Sequence, residues 1–214
     1  MKVTSTHKQL GAVSFPEFMG ERIYMLPFTK KAGLPAHATR WQRTVDQMLD
    51  GIDTDAEIYL MVDETVTLAG TSSRRGGVHV DGYWCPKLYA HRGGHISAYG
   101  GSGGYGGSIS AHGGQGPSWK GGGGPHYNYT SPHPEAILLA SNVSGCAFYE
   151  GEYELPEWKM GDCSMVDTSH MVKTIQKPNV VYGGHTLTML HESLPLQQTA
   201  QRTVVRLNVP TVTI

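Results

Sequence analysis

The chain has 214 residues, a formal net charge of −1 and only 16% charged residues. Its length fits one domain, or one domain with a large insertion. The low charge and the lack of a basic cluster argue against binding that is dominated by nucleic-acid phosphates.

The cysteines and the hydrophobic segments indicate in which compartment of the cell the protein is expected. The cysteines Cys85, Cys146 and Cys163 are odd in number and have no Cys-x-x-Cys spacing. This pattern argues against a disulfide framework and against a zinc ribbon. The first residues carry no apolar segment typical of a signal peptide, and no stretch approaches the length of a membrane span. We therefore expect a cytoplasmic protein without a membrane partner.

The first part of the chain predicts one or two strands followed by a helix. Residues 1–35 contain short apolar pieces, such as residues 23–26. Residues 36–52 have helical periodicity, and their apolar positions fall on one face. These positions are Trp41, Val45, Met48, Leu49 and Ile52. We expect this helix to pack across a sheet.

The rest of the chain has β character. Residues 58–62 form a continuous apolar run, which predicts a strand buried on both faces. Further strands are predicted at 65–68, 78–84, 137–140, 145–149, 164–166, 180–182, 186–191 and 203–209. Many short strands without a βαβ alternation indicate a mainly β fold. A double-stranded β-helix, meaning a jelly roll of the cupin type, with one or more N-terminal packing helices fits this order.

A glycine-rich segment interrupts this pattern. Of the 28 glycines, 15 lie between Gly93 and Gly124. Sequence of this composition buries too little apolar surface to hold one conformation by itself. We interpret residues 92–125 as an insertion into a single domain that spans residues 1–214, acting either as a lid or as a surface insertion.

Two motifs predict a metal site. His79-Val80-Asp81 is the first, and His191 with Arg202 eleven residues later is the second. Residues i and i+2 of a strand share a face, so His79 and Asp81 can reach one ion. A His-x-Asp triplet is expected by chance about 0.4 times in this composition, so its place among the strands matters. Two imidazoles and one carboxylate suit iron(II) and leave positions open, and an arginine can pair with a carboxylate.

In these motifs the chain resembles the iron(II)/2-oxoglutarate-dependent dioxygenase superfamily, nearest to its prolyl-hydroxylase-like branch. The resemblance covers roughly residues 58–210. It implies a jelly-roll core in which Fe(II) is held by His79, Asp81 and His191, and 2-oxoglutarate pairs with Arg202. The implied activity is an oxygenase, most simply a hydroxylase. It would use O₂ and 2-oxoglutarate to oxidise an unidentified substrate, a peptidyl side chain or a small molecule. Tyr89 is a candidate for a second contact with 2-oxoglutarate.

Several alternatives remain open at this point. His185 shares the parity of His191 and is a rival metal ligand, and Arg206 shares a face with Arg202 and is a rival cosubstrate arginine. His191 and Arg202 are preferred because the Glu-Ser-Leu-Pro after His191 and the spacing to Arg202 match the family pattern. The alternative functions are a non-enzymatic jelly-roll structural or binding protein, for example a virion component, and a cupin-type metal dioxygenase that does not use 2-oxoglutarate.

Overall fold

The computed structural model describes residues 2–74, 76–81, 135–156 and 161–214, together with the backbone of residues 96–97 and 126–127. Apart from residues 96–97, the predicted glycine-rich insertion lies outside the described residues. The same holds for Tyr89, Cys85 and the last three residues of the strand that was predicted at 78–84.

The described residues form two short helices and twelve strands. A 3₁₀ helix (Ala36–Trp41) leads directly into α1 (Gln42–Met48). The strands are β1 (Lys2–Ser5), β2 (Lys8–Ala12), β3 (Arg22–Thr29), β4 (Glu57–Thr67), β5 (Ile96–Ser97), β6 (His126–Tyr127), β7 (Glu135–Ser141), β8 (Cys146–Glu154), β9 (Val172–Ile175), β10 (Val180–His185), β11 (Leu190–Ser193) and β12 (Ala200–Pro210). Within the described ranges, neither helix has the length and hydropathy needed to cross a bilayer.

The strands build two main antiparallel sheets. One has six strands in the order β2-β10-β7-β12-β4-β3, and the other has β1, β8 and β11, with β9 also paired to β8. The short strands β5 and β6 pair with each other. The prediction of a mainly β fold is confirmed.

Strand β12 separates two environments, because alternate residues of a strand point to opposite faces. Val205, Leu207 and Val209 join the core that includes Trp41 of the helical segment. Val204, on the other face, packs in a second apolar cluster with Phe148 of β8. The six-stranded sheet therefore lies between the helical layer and the four-stranded sheet.

The predicted helix is present but shorter than expected. It ends near Leu49, and Gly51 then adopts a φ of +70°, which turns the chain out of the helical conformation. All five residues of its predicted apolar face are buried in one core with the six-stranded sheet. The prediction that this segment packs across a sheet is confirmed.

The strand predicted at 164–166 is wrong, and those predicted at 186–191 and 78–84 are wrong in part. Residues 190–191 do belong to β11, and the described residues 78–81 make isolated bridges at His79 rather than a strand. Residues 164–166 form a turn, in which the amide of Val166 donates to the carbonyl of Cys163 at 2.9 Å, and Met165 is 85% exposed. Residues 186–188 also form a turn, closed by a bond from the Met189 amide to the His185 carbonyl at 2.9 Å. In both places backbone hydrogen bonds within a turn replace the strand pairing that the apolar pattern suggested.

We expect Trp41→Ala to lower the free energy of unfolding by about 3–5 kcal/mol, since it removes a fully buried aromatic side chain. The change also removes the bond from the indole nitrogen to Glu21 Oε2 at 2.8 Å. Urea unfolding followed by circular dichroism measures the change. Arg43→Ala, on the exposed face of the same helix, is the control and should stay within about 0.5 kcal/mol. A loss below about 1 kcal/mol for Trp41→Ala would contradict this packing.

Candidate metal centre

Three predicted ligands come together at one edge of the four-stranded sheet. Each of His79, Asp81 and His191 offers one ligand atom, and these atoms all lie within 4.8 Å of one another. His191 Nε2 is 3.8 Å from Asp81 Oδ1, and the two imidazole centroids are 4.4 Å apart. Bonds of about 2 Å to a divalent cation let one ion meet atoms that are about 4 Å apart. Modest side-chain rotation therefore completes the set.

Backbone pairing places the two histidines side by side. The His79 amide donates to the His191 carbonyl at 2.9 Å, and the His191 amide donates back to the His79 carbonyl at 3.0 Å. Residues opposite each other in an antiparallel pair share a face. Val80 points the other way and is fully buried in the outer cluster of the four-stranded sheet. Asp81 therefore returns to the face of His79.

The Nδ1 atom of each imidazole faces a backbone carbonyl. His79 Nδ1 lies 2.7 Å from the Gly77 carbonyl oxygen, and His191 Nδ1 lies 3.1 Å from that of Met189. A carbonyl can only accept, so it favours the tautomer with the proton on Nδ1 and the lone pair on Nε2. Metal-binding histidines in proteins are commonly oriented by a contact of this kind.

Asp81 is held as a carboxylate. Burial by itself raises its pKa, but the positive charge of Arg206 and the nearby His191, His79 and Arg74 more than offset this, and the pKa lies well below its usual range. Arg206 Nη1 donates to Asp81 Oδ2 at 2.8 Å. One carboxylate oxygen therefore faces the histidines while the other is bound by Arg206.

Arg202 lies in a separate buried position. This arginine is 2% exposed. Its Nη1 donates to Ser73 Oγ at 2.8 Å, and its Nη2 donates to the Gly145 carbonyl at 2.9 Å. Its Nε is buried and has no hydrogen-bond partner in the described ranges. Both acceptors are neutral, and among the described residues we find no carboxylate paired with this guanidinium. Burial accordingly lowers the pKa of Arg202.

The close approach of Arg202 to the backbone requires a glycine. A Cβ on Gly145 would lie 2.7 Å from Arg202 Cζ, which is shorter than any ordinary contact. Gly145 therefore leaves the space that the flat guanidinium fills. The spacing of charged residues alone would not have singled out this glycine.

His185 is not part of the cluster. It is the last residue of β10 in the six-stranded sheet, whereas His191 belongs to β11 in the four-stranded sheet. The parity argument that made it a rival ligand is wrong, because the turn at residues 186–188 separates the two histidines. His185 Nδ1 instead accepts a bond from the Leu187 amide at 3.1 Å.

We expect Arg206→Met to weaken Co(II) binding by about 10–100-fold, because it removes the group that orients Asp81. The freed Oδ2 atom could then also reach the ion, so the visible Co(II) spectrum should change in intensity. A Co(II) titration of the metal-free protein measures both effects. Arg22→Met, which removes a half-exposed arginine of β3, is the control. Equal affinity in the Arg206 variant and the unchanged protein would show that Arg206 does not position Asp81.

Comparisons with protein-family models, with curated proteins and with solved structures find no match to this chain.

Proposed function

We propose that the protein is an Fe(II)- and 2-oxoglutarate-dependent oxygenase, most simply a hydroxylase. Two features support this proposal: the cluster of His79, Asp81 and His191, and the buried Arg202 beyond it. The second feature carries the choice of cosubstrate. A guanidinium that is 2% exposed and has only neutral partners among the described residues is the feature expected of a site for an anionic ligand.

The arrangement of the sheets agrees with a jelly roll. Two antiparallel sheets share an apolar layer that contains Ile137, Phe148 and Met189. The chain passes from the six-stranded to the four-stranded sheet between β7 and β8 and again between β10 and β11, and returns before β10 and before β12. Repeated crossing of this kind is typical of double-stranded β-helices. We assign the fold to that class as part of the proposal.

The donor set fits iron(II). Two neutral imidazoles and one carboxylate can cover one face of the ion and leave the other positions open. When bound, iron with 2-oxoglutarate and O₂ would supply the oxidising chemistry, coupled to decarboxylation of the cosubstrate. The residues of the chain would hold the ion, while Arg206 keeps Asp81 ionised and leaves one carboxylate oxygen for the metal.

Arg202 suits the cosubstrate better than Arg206. The charge of Arg206 is already matched by Asp81 at 2.8 Å. The charge of Arg202 has no such match among the described residues, and an unpaired buried charge costs several kcal/mol. The two arginines are four residues apart on one face of β12, roughly 13 Å along the strand. Arg202, rather than Arg206, would therefore hold the distal carboxylate of 2-oxoglutarate, while His79, Asp81 and His191 would hold the ion.

The lining between these two arginines is apolar. Val204 lies between them on β12 and packs with Cys146 and Phe148. Such a lining suits the methylene groups of a dicarboxylate and excludes water. Burial raises the pKa of Cys146 to about 12, so its thiol is protonated and acts as packing rather than as a nucleophile.

We expect Gly145→Ala to weaken 2-oxoglutarate binding by about tenfold or more, because the added methyl group would displace the Arg202 guanidinium. Metal affinity should change little, since the methyl group lies against Arg202 and not against the metal ligands. Calorimetric titration of the Mn(II)-loaded protein measures the binding. Gly11→Ala in β2, where an added Cβ meets nothing within 4 Å, is the matched control. Unchanged affinity in Gly145→Ala would argue against Arg202 as the cosubstrate arginine.

Conversion of 2-oxoglutarate to succinate tests the proposed function without knowledge of the substrate. We expect slow, Fe(II)-dependent formation of succinate by the purified protein in air. Turnover that survives the loss of Arg202 would instead favour a metal dioxygenase without this cosubstrate. No succinate from iron-loaded protein, together with no bound 2-oxoglutarate, would contradict the proposal.

A further inference from the structure

A second polar cluster lies at the other end of the same sheet face. It consists of Glu135 at the start of β7, Thr186 just after β10 and Asn208 near the end of β12. All three are buried, and Asn208 is fully buried. None of these residues takes part in the proposed metal or cosubstrate sites.

Two buried side-chain oxygen atoms of this cluster, those of Asn208 and Thr186, lack a hydrogen-bond donor among the described residues. Asn208 Nδ2 donates to Glu135 Oε1 at 2.8 Å. The amide nitrogen must face the carboxylate, so the remaining group of Asn208 is its acceptor oxygen. This buried Oδ1 has no hydrogen-bond partner among the described residues. Within the part of the chain that the structure describes, the buried Thr186 hydroxyl also has no hydrogen-bond partner, and the Thr186 amide donates to the Glu135 carbonyl at 3.0 Å.

The cluster adjoins the metal ligands. Asn208 is two residues beyond Arg206 on the same face of β12, about 7 Å along the strand. Arg206 in turn contacts Asp81. Thr186 lies in the turn that leads into β11 and its ligand His191. The metal ligands therefore have Arg202 on one side and the Glu135 cluster on the other.

We propose that Glu135, Asn208 and Thr186 bind a cationic N–H donor, an ammonium or guanidinium group, of the molecule that is oxidised. Leaving a buried acceptor without a donor is unfavourable, and a ligand with several N–H groups would satisfy both such atoms. The Glu135 carboxylate selects a cation over a neutral donor. The identification of this ligand as the substrate rests on the proposed oxygenase function, whereas the binding site itself does not.

The distribution of charge along this face of the sheet, with Arg202 on β12 and Glu135 on β7, agrees with two different ligands. The Arg202 end would attract the anionic cosubstrate, and the Glu135 end would repel it. The opposite holds for a cationic group. The Arg202 end would therefore favour the anionic cosubstrate over the cationic molecule, and the Glu135 end would favour the cationic molecule over the cosubstrate.

Binding of simple amines to the metal-free protein tests this inference separately from the oxygenase chemistry. The probes are n-butylammonium and guanidinium, with n-butanol and butyrate as neutral and anionic comparisons. Ile137 is the register partner of Asn208 and is fully buried, so its δ1 methyl resonance reports on the cluster. We expect saturable shifts of this resonance with the two cations and none with butanol or butyrate.

Two variants locate the binding. Both Asn208→Leu and Thr186→Val nearly keep the side-chain volume. Thr186→Val removes only the unpartnered hydroxyl, whereas Asn208→Leu removes the Oδ1 acceptor together with the bond from Nδ2 to Glu135. Each should weaken cation binding by about tenfold. Glu152→Gln, an exposed change on β8 that removes the partner of Lys2, is the control and should bind as the unchanged protein does. If Asn208→Leu does not fold, Thr186→Val alone decides.

The outcomes separate this inference from the proposed function. Saturable binding of cations that both acceptor variants weaken supports the site, whether or not succinate is formed. Absence of saturable shifts, or equal shifts with cations and with butanol, overturns it even if 2-oxoglutarate is turned over. Equal cation affinity in the folded acceptor variants and the unchanged protein also overturns it.

Discussion

Asp81→Asn should reduce Fe(II) or Co(II) affinity by about 100-fold or more, since loss of a ligand exceeds the 10–100-fold effect of an outer contact. The amide keeps the shape of the side chain but removes the negative charge that Arg206 and the cation share. Equilibrium dialysis of the metal-free protein, with the metal in the outer buffer, measures the affinity.

The same variant should also be less stable. Asp81 and Arg206 form a buried pair with side-chain exposures of 13% and 7%, so removing one charge leaves the other unmatched. Breaking such a pair costs about 3–5 kcal/mol. Asp167→Asn, in an exposed loop, is the matched control and should leave metal affinity unchanged. Metal affinity that is equal in Asp81→Asn and Asp167→Asn would remove Asp81 from the ligand set.

Arg202→Met should lower 2-oxoglutarate affinity by about 100-fold, because loss of one partner of a desolvated charge pair costs about 2–5 kcal/mol. Titration of the Mn(II)-loaded protein measures this change. Metal affinity should stay close to that of the unchanged protein, since Arg202 contacts Ser73 and Gly145 and none of the three ligands.

Binding of 2-oxoglutarate, measured beside stability, separates a binding role of Arg202 from a structural one. Arg202→Met loses the hydrogen bonds to Ser73 and Gly145 in either case, so stability without 2-oxoglutarate should fall in both. A purely structural arginine would leave the 2-oxoglutarate affinity of the folded variant unaffected. Arg22→Met, a half-exposed change, is the control for both measurements.

Periodicity in the sequence predicts the parts of this molecule that follow a single regular element. The apolar run at residues 58–62 is buried throughout, as a central strand requires. The spacing of His79 and Asp81 correctly places both on one side of Val80. The shared face of Arg202 and Arg206 also follows from the period of two along β12.

Features that depend on the path of the chain between elements could not be predicted in this way. The turn at residues 186–188 moves the chain between sheets, so parity counted through it gave the wrong relation of His185 to His191. The contact of Arg206 with Asp81 joins residues 125 positions apart. The fit of Gly145 against Arg202 likewise arises only when β8 is packed beside β12.

Anaerobic addition of 2-oxoglutarate to the Fe(II)-loaded protein tests the central claim most directly, because it requires both the metal ligands and the cosubstrate site. We predict a visible metal-to-ligand charge-transfer band that saturates with 2-oxoglutarate. The band should be absent in Asp81→Asn. In Arg202→Met it should appear only at a much higher concentration of 2-oxoglutarate. Protein that binds iron and shows no band at any concentration of 2-oxoglutarate would contradict the account.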